Sequence, residues 1–206
     1  MISIEPICID LFCGYGGWAR GFLDAGYRVI GFDSDRRCAR RYPGEFVLAD
    51  VRNLHGSRFR GATAIVASPP CTEFSFATVL RTLSGGPPRN PAKGMPLVRE
   101  TFRIIREANP TWYTVENVRG AVDAISREFG RPRATHGAWI LWGNFPGFIA
   151  PVTRKMNYAA VPAWVPAEGR KAWKFAHGSN RKSRDPHLSS MIPYALAKAL
   201  AEACLP

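Results

Sequence analysis

A cysteine and a glutamate stand at the ends of two predicted strands, and both side-chain types can act directly in a reaction. Cys71 follows the apolar run 64–67 and two prolines, which cannot donate to a sheet ladder and therefore end the strand. Glu116 follows a second apolar run, 112–115. A thiolate can serve as a nucleophile, and a carboxyl whose pKa is raised by desolvation can donate a proton. The cysteine alone is equally consistent with an inert buried thiol.

Glycines and aspartates follow three further strands that the sequence predicts near its start. The first strand runs into a glycine-rich loop, 13–17, and then into a predicted helix, 18–25, an arrangement that lets backbone approach a ligand closely. The next two strands end at Asp33 and Asp50, which suit acceptance from ribose hydroxyls and also suit helix capping. The predicted strands are 6–12, 28–32 and 46–49. This pattern indicates an α/β fold with a nucleoside-binding rim.

Three motifs resemble those of the DNA cytosine-C5 methyltransferases and occur in that family's order. They are Asp10-Leu11-Phe12-Cys13-Gly14-Tyr15-Gly16-Gly17 for the cofactor, Pro70-Cys71-Thr72 for the nucleophile, and Glu116-Asn117-Val118. The resemblance runs from residue 4 to the region of residue 120 and resumes near the C-terminus. It implies a class I S-adenosylmethionine-dependent, Rossmann-like fold, with a mostly parallel sheet and helices on both faces.

The resemblance also implies the roles of individual residues. Cys71 would add to C6 of cytosine, Glu116 would protonate N3, and C5 would take the methyl group of S-adenosylmethionine. The target base must be flipped or already single-stranded. The expected cofactor contacts are Phe12, Gly14, Gly16, Gly17, Asp33, Ser34, Asp50, Val51, Pro70, Leu97 and Ser190. The expected substrate contacts are Asn117, Arg131, Arg133, Arg81, Arg89 and Lys93, and no metal is expected.

Two regions between the motifs leave alternatives open. The segment 78–94 is rich in glycine and proline and predicts a long loop, which in the family closes over the flipped base but could also be a tolerated insertion. The family's arginine-rich motif is altered, because Arg131 and Arg133 precede the predicted strand 139–146 and Trp139 stands where a second arginine is expected. The predicted helices here are 96–108 and 121–129.

The net charge of +12 is unevenly distributed along the chain. Residues 1–50 hold six Lys and Arg against seven Asp and Glu, which leaves a balance of +13 for residues 51–206. A basic region of this kind favours a polyanion partner such as DNA, although a soluble basic surface is the alternative.

The charge pattern and the motifs together predict three parts. Residues 1–149 form the catalytic and cofactor-binding domain, and 150–187 form a small basic and aromatic segment in place of a target-recognition domain. Residues 188–206 contain a C-terminal helix, 191–205, with Ser190 as its N-cap. A recognition segment this small suggests an accessory subunit or a homodimer, and a wrapping surface segment is the alternative.

The remaining composition favours a cytoplasmic protein. No apolar run approaches the roughly 18 residues of a membrane span, and the N-terminus lacks a signal-peptide pattern. The five scattered cysteines favour neither a disulfide framework nor a zinc ribbon. An RNA cytosine methyltransferase and a non-catalytic protein that binds S-adenosylmethionine or nucleic acid are the alternatives to a DNA methyltransferase, and the intact Cys71 and Glu116 argue against the latter.

Overall fold

Short apolar strands build a seven-stranded sheet in the computed structural model, which describes residues 5–75, 89–150, 187 and 191–206. The strands in this part of the chain are β1 (Ile7–Leu11), β2 (Arg28–Asp33), β3 (Glu45–Leu48), β4 (Ala64–Ala67), β5 (Trp112–Val118), β6 (Ala134–His136) and β7 (Trp139–Asn144). The α-helices there are α1 (Ala19–Asp24), α2 (Pro91–Ala108), α3 (Val122–Phe129) and α4 (Tyr194–Ala203). Among the described helices, none is long and apolar enough to cross a membrane.

The strand order is β3-β2-β1-β4-β5-β7-β6, and the first five strands of this order are parallel. β7 pairs antiparallel with both β5 and β6. The predicted mostly parallel sheet is therefore confirmed. The order reverses beside β1, which lies between β2 and β4. In open α/β sheets, ligands bind beyond the carboxyl ends of the strands at such a reversal.

Helices cover both faces of the sheet, as predicted, because neighbouring residues of a central strand point to opposite sides. Ile65 of β4 lies in one apolar cluster with Phe102 of α2, and Val66 lies in a second cluster with Phe22 of α1 and Leu196 of α4. The central strands are thus buried on both sides.

The C-terminal helix α4 packs closely on α1. At Gly21, an added Cβ would lie 2.4 Å from the backbone nitrogen of Lys198, so only glycine permits this approach. The hydroxyl of Tyr27 donates to the carbonyl of Cys204 at 2.5 Å, which fixes the end of α4 against the start of β2.

The start of α2 differs from the sequence prediction. The helix begins at Pro91, with the Asn90 side chain accepting from the Ala92 amide at 3.1 Å. An N-cap asparagine followed by proline at the first helical position is a strong start signal, and it outweighs the glycine and proline content that suggested a loop. Lys93 therefore belongs to the first turn of α2 and is exposed there.

The start of α4 also differs. The helix begins at Tyr194 after an extended Pro193, so Ser190 is not its N-cap. Proline disfavours helical backbone in the residue before it, here Ile192, which explains the later start. Ser190 itself lies outside the described residues, as does the predicted recognition segment apart from its end residues Ala150 and His187.

β5 extends past the position predicted for its end. Val115 is its last residue paired with β4, but β7 continues the pairing through Glu116, Asn117 and Val118. The sequence did not predict β6, a three-residue strand at the sheet edge. Glu116 is therefore held inside a strand and not on a free strand end.

Asp10 is a buried carboxyl in the middle of β1, with 1% of its surface exposed. Its Oδ2 accepts from the Tyr42 hydroxyl at 3.1 Å, whereas its Oδ1 has no hydrogen-bond partner. Burial raises the pKa of Asp10 to about 8, against a lowering effect of the Tyr42 hydrogen bond. Since the folded state holds a proton that the unfolded state has released, the contribution of Asp10 to stability is full at acid pH and is lost as pH rises through about 8.

We expect Asp10→Asn to flatten the fall in unfolding free energy between about pH 5 and about pH 8. The wild-type carboxyl should contribute a loss of about 1.4 kcal/mol per pH unit across this window, and asparagine cannot titrate. Urea unfolding at several pH values measures the slope. Asp123→Asn, at an exposed position in α3, is the control and should retain the wild-type slope. Equal slopes in Asp10→Asn and the wild type would contradict a protonated, buried Asp10.

Candidate active site

Parallel pairing of β4 and β5 brings Cys71 and Glu116 together. Ala67 is the last residue of β4 and pairs with Val115, so the loop that follows β4 runs beside the next residue of β5, Glu116. Cys71 is half-buried in this loop, and Glu116 is only 8% exposed.

Backbone and amide hydrogen bonds fix the loop that carries Cys71. The Asn117 side chain donates to the carbonyl of Pro69 at 3.0 Å, and its oxygen accepts from the Val118 amide at 2.9 Å. After the cysteine, the Phe74 amide donates to the Cys71 carbonyl at 3.0 Å, while the Phe74 ring is fully buried in the core. Asn117 is 1% exposed, and both polar atoms of its side chain form hydrogen bonds within the protein. Its contact with the substrate stays a prediction.

The electrostatics of the pair suit acid and nucleophile chemistry. Burial raises the pKa of Glu116 to about 7, and a hydrogen bond donated by Ser68 opposes this rise. Burial, followed by the charge of Glu116, raises the pKa of the Cys71 thiol above its usual range. A neutral Glu116 therefore both holds a transferable proton and makes ionisation of Cys71 easier.

The predicted cofactor loop follows β1 at the same edge of the sheet. Phe12 has a positive φ of 58°, which is unusual for a residue with a side chain, and it leads into Gly14 with φ 51°. Asp33 at the end of β2 holds this loop, because its Oδ2 accepts from the Gly14 amide at 2.9 Å and its Oδ1 accepts from the Asp35 amide at 2.8 Å. Each carboxylate oxygen retains a second lone pair for a ligand hydroxyl.

The other two loop glycines are required by packing. A Cβ at Gly16 would lie 2.3 Å from the side chain of Pro43, and a Cβ at Gly17 would lie 2.6 Å from the backbone nitrogen of Ile192. The glycine pattern therefore serves the folding of the loop onto its neighbours as well as close approach to a ligand.

Asp50 and Val51 occupy structural positions in this conformation. The Asp50 carboxylate accepts from the Arg52 amide at 2.9 Å, pairs with the Arg52 guanidinium, and caps a 3-10 helix over Val51–Asn53. The hydrogen bonds from Arg52 lower the pKa of Asp50 to about 2. The Val51 side chain is 3% exposed in the core, so a cofactor could reach only its backbone. Asp50 therefore caps this helix, and its contact with the cofactor stays a prediction.

The remaining predicted cofactor contacts differ in exposure. Ser34 and Pro70 are exposed on the loops after β2 and β4, whereas Leu97 is half-buried against the core from α2. Ser190 and the predicted substrate residue Arg81 lie outside the described residues.

The predicted basic substrate contacts are separated in the structure. The Arg89 guanidinium donates to the carbonyl of Phe74 at 3.3 Å, which places it at the turn that carries Cys71. Arg133 instead donates to the carbonyl of Phe145 at 2.7 Å and lies over the Phe145 ring, so it braces the segment around β6 and β7. Arg131 is exposed before β6 and Lys93 is exposed on α2.

Two groupings near the site were missed by the sequence prediction. The Trp18 indole donates to the Ser68 hydroxyl at 3.0 Å, although the two residues are 50 positions apart. His187 lies 3.0 Å from the Asp35 carboxylate, and ligand atoms of Asp33, Cys38 and His187 lie within 4.8 Å of one another. This is the one potential metal-ligand group in the described part of the chain, and its members have no motif-like spacing. Four-coordinate zinc would need a further ligand.

Residues 7–129 match the model of the C-5 cytosine-specific DNA methylases, and the chain belongs to this family. The chain is 27% identical over 125 residues to the type II methyltransferase M.FnuDI of Fusobacterium nucleatum, covering 58% of the chain and 34% of that protein. It is 29% identical over 151 residues to M.AquIA of a Picosynechococcus strain, covering 63% of the chain and 58% of that protein. The chain thus spans about a third to three fifths of these relatives.

Among solved structures, the S. pombe Dnmt2 methyltransferase is 17% identical, with a TM-score of 0.41 over 57% of this chain and 36% of that one.

We expect Glu116→Gln to shift alkylation of Cys71 by iodoacetamide to lower pH, because loss of the carboxylate charge removes one cause of the raised thiol pKa. Mass spectrometry of the peptide that contains Cys71 measures the midpoint. The other four cysteines are buried and should react more slowly. Glu73→Gln, two positions from Cys71, is the matched control and should leave the midpoint unchanged. An unchanged midpoint in Glu116→Gln would show that the two groups do not interact.

Proposed function

We propose that this chain transfers a methyl group from S-adenosylmethionine to C5 of cytosine in DNA through a covalent bond between Cys71 and C6. The observation that carries the proposal is that a half-buried cysteine, in the loop after β4, lies beside a buried, readily protonated glutamate on the neighbouring strand β5. Membership of the C-5 cytosine-specific DNA methylases supports the same reaction. The glycine loop after β1 supports a nucleoside cofactor at the neighbouring strand end.

The two side chains have complementary tasks in this proposal. The Cys71 thiolate adds to C6, which places negative charge on the ring. Glu116 neutralises this charge by donating its proton to N3. C5 then becomes electron-rich. S-adenosylmethionine, when bound, supplies the electrophilic methyl group. Loss of the proton from C5 and departure of the Cys71 sulfur, with N3 returning its proton, restore the aromatic ring and the starting enzyme.

The residues at the end of β1 and β2 fit the nucleoside part of that cofactor. The Asp33 carboxylate faces the loop and has acceptor capacity left for ribose hydroxyls, and the strained Phe12 begins the loop. The half-buried Gly14 has positive φ, and a Cβ added there would lie 3.3 Å from Nδ1 of His187, so a side chain at this position would crowd the loop. These features support cofactor binding beside β1, with Ser34 and Pro70 exposed nearby.

DNA is the proposed substrate, with the cytosine flipped from the duplex or presented in a single strand. The excess of positive charge in residues 51–206 supports contact with a phosphate backbone. Target-sequence recognition by residues 150–187, by an accessory subunit or by a second copy of the chain remains part of this proposal, as does a cytoplasmic location.

We expect the protein to transfer tritium-labelled methyl groups from S-adenosylmethionine to DNA, and we expect Cys71→Ser to abolish transfer while retaining cofactor binding. Glu116→Gln should slow transfer by roughly 10²- to 10⁴-fold, the usual contribution of acid catalysis. Separate DNA and RNA pools distinguish the substrate. Cys204→Ala, at another buried cysteine, is the control and should retain activity. Labelling of RNA but not DNA would overturn the substrate, and an active Cys71→Ser would overturn the nucleophile.

A further inference from the structure

Three neighbouring side chains, Trp18, Ser68 and Glu116, link the predicted cofactor loop to β5. The Trp18 indole nitrogen donates to Ser68 Oγ at 3.0 Å. Ser68 and Glu116 each follow directly after the paired residues Ala67 of β4 and Val115 of β5, so they lie beside each other. A hydrogen bond from Ser68 accordingly lowers the pKa of Glu116. Trp18 is 2% exposed and follows the glycine loop directly, while Ser68 follows β4. These three side chains therefore connect the loop after β1 with β5.

The direction of each hydrogen bond is fixed by the chemistry of the donors. An indole N–H can only donate, so the Ser68 oxygen must accept from Trp18. A serine hydroxyl has a single hydrogen, and with the oxygen occupied by Trp18 that hydrogen is available for Glu116. Trp18 is buried in the same apolar cluster as Phe22, and its hydrogen bond holds the Ser68 oxygen on this side.

We propose that Ser68, oriented by Trp18, is a positioning residue that holds the Glu116 carboxyl in place for proton transfer. The inference rests on the proposed function, because that function assigns the proton donor. Burial alone favours the neutral form of Glu116, and a hydroxyl directed at its carboxylate favours the charged form. The two effects together leave the carboxyl able to give and to regain a proton near neutral pH.

The surroundings of Glu116 leave this assignment to Ser68. On β7, Glu116 lies opposite the apolar Leu141, and in the loop after β4 its charge acts on the titratable Cys71. Arg133 precedes β6 two strands away, where its guanidinium donates to the Phe145 carbonyl. In the part of the chain that the structure describes, Ser68 is the polar side chain that follows the β4–β5 pair next to Glu116 and also accepts from Trp18.

The first test is a carbon-13 NMR titration of the Glu116 carboxyl in the full chain, assigned by its disappearance in Glu116→Gln. We expect Ser68→Ala to raise the Glu116 pKa by about one pH unit, since a hydrogen bond to a charged group is lost. Trp18→Phe should raise it by less, because Ser68 remains but is no longer oriented. Ser68→Thr restores a hydroxyl and should return the pKa towards the wild-type value.

Trp142→Phe is the matched control, because Trp142 is also buried and its indole donates to the Gly130 carbonyl at 3.1 Å. It should leave the Glu116 pKa unchanged, although it removes a comparable core hydrogen bond. Thermal unfolding of every variant confirms that the folded state is being compared. A Glu116 pKa that is the same in Ser68→Ala and the wild type overturns the proposal, as does an equal rise in Trp142→Phe.

Methyl-transfer kinetics give a second, separable readout. In Ser68→Ala, the lower apparent pKa in the pH profile of kcat/KM should move upward with the NMR value, and kcat should fall while KM for DNA stays near the wild-type value. The NMR titration does not require methyl transfer. If the wild-type protein is inactive but shows the expected NMR shifts, the proposed function is overturned and the contact of Ser68 with Glu116 stands. If the protein is active but shows no such shifts, the proposed function stands and the role of Ser68 is overturned.

Discussion

The site depends on the unequal lengths of two paired strands. β4 stops at Ala67 because prolines follow closely, while β5 continues to Val118 because β7 supplies an antiparallel partner beyond the last pair with β4. The two strands are about 4.8 Å apart. A loop that leaves the shorter strand must therefore pass beside the side chains of the longer one, which places Cys71 near Glu116 and lets Asn117 hold the Pro69 carbonyl.

Burial then gives this arrangement its chemical character. Glu116 lies inside a sheet strand with little exposure, so its carboxyl is neutral more readily than a surface glutamate. The same surroundings disfavour ionisation of Cys71 while Glu116 is charged. Protonation of Glu116 and ionisation of Cys71 are thus coupled. A substrate that takes a proton from Glu116 while the Cys71 sulfur bonds to it uses both groups in the form that this coupling favours. Burial likewise raises the pKa of Asp10 in β1, although the hydrogen bond from Tyr42 opposes the rise.

The fold and the central pair could be predicted because their signals are local. Apolar runs followed by Gly14, Asp33 and two prolines mark strand ends, and three short motifs in the right order identify the family. Contacts between distant residues were not predictable in this way. The Trp18–Ser68 contact, the antiparallel extension of β5 and the bracing of Arg133 on Phe145 arise only when the strands are placed side by side. The hydrogen bond from Asn117 to Pro69 was not predictable for the same reason, since the two residues are 48 positions apart.

The most direct test of the account is peptide mapping of the protein after incubation with S-adenosylmethionine and DNA containing 5-fluorocytosine. Fluorine at C5 cannot leave as a proton does, so the bond between enzyme and C6 persists after the methyl group has been transferred. The account predicts a stable adduct on the peptide that contains Cys71, carrying a methylated fluorocytosine. An adduct on Cys8, Cys13, Cys38 or Cys204, or methylation of ordinary DNA with no adduct on the fluorinated substrate, would contradict it.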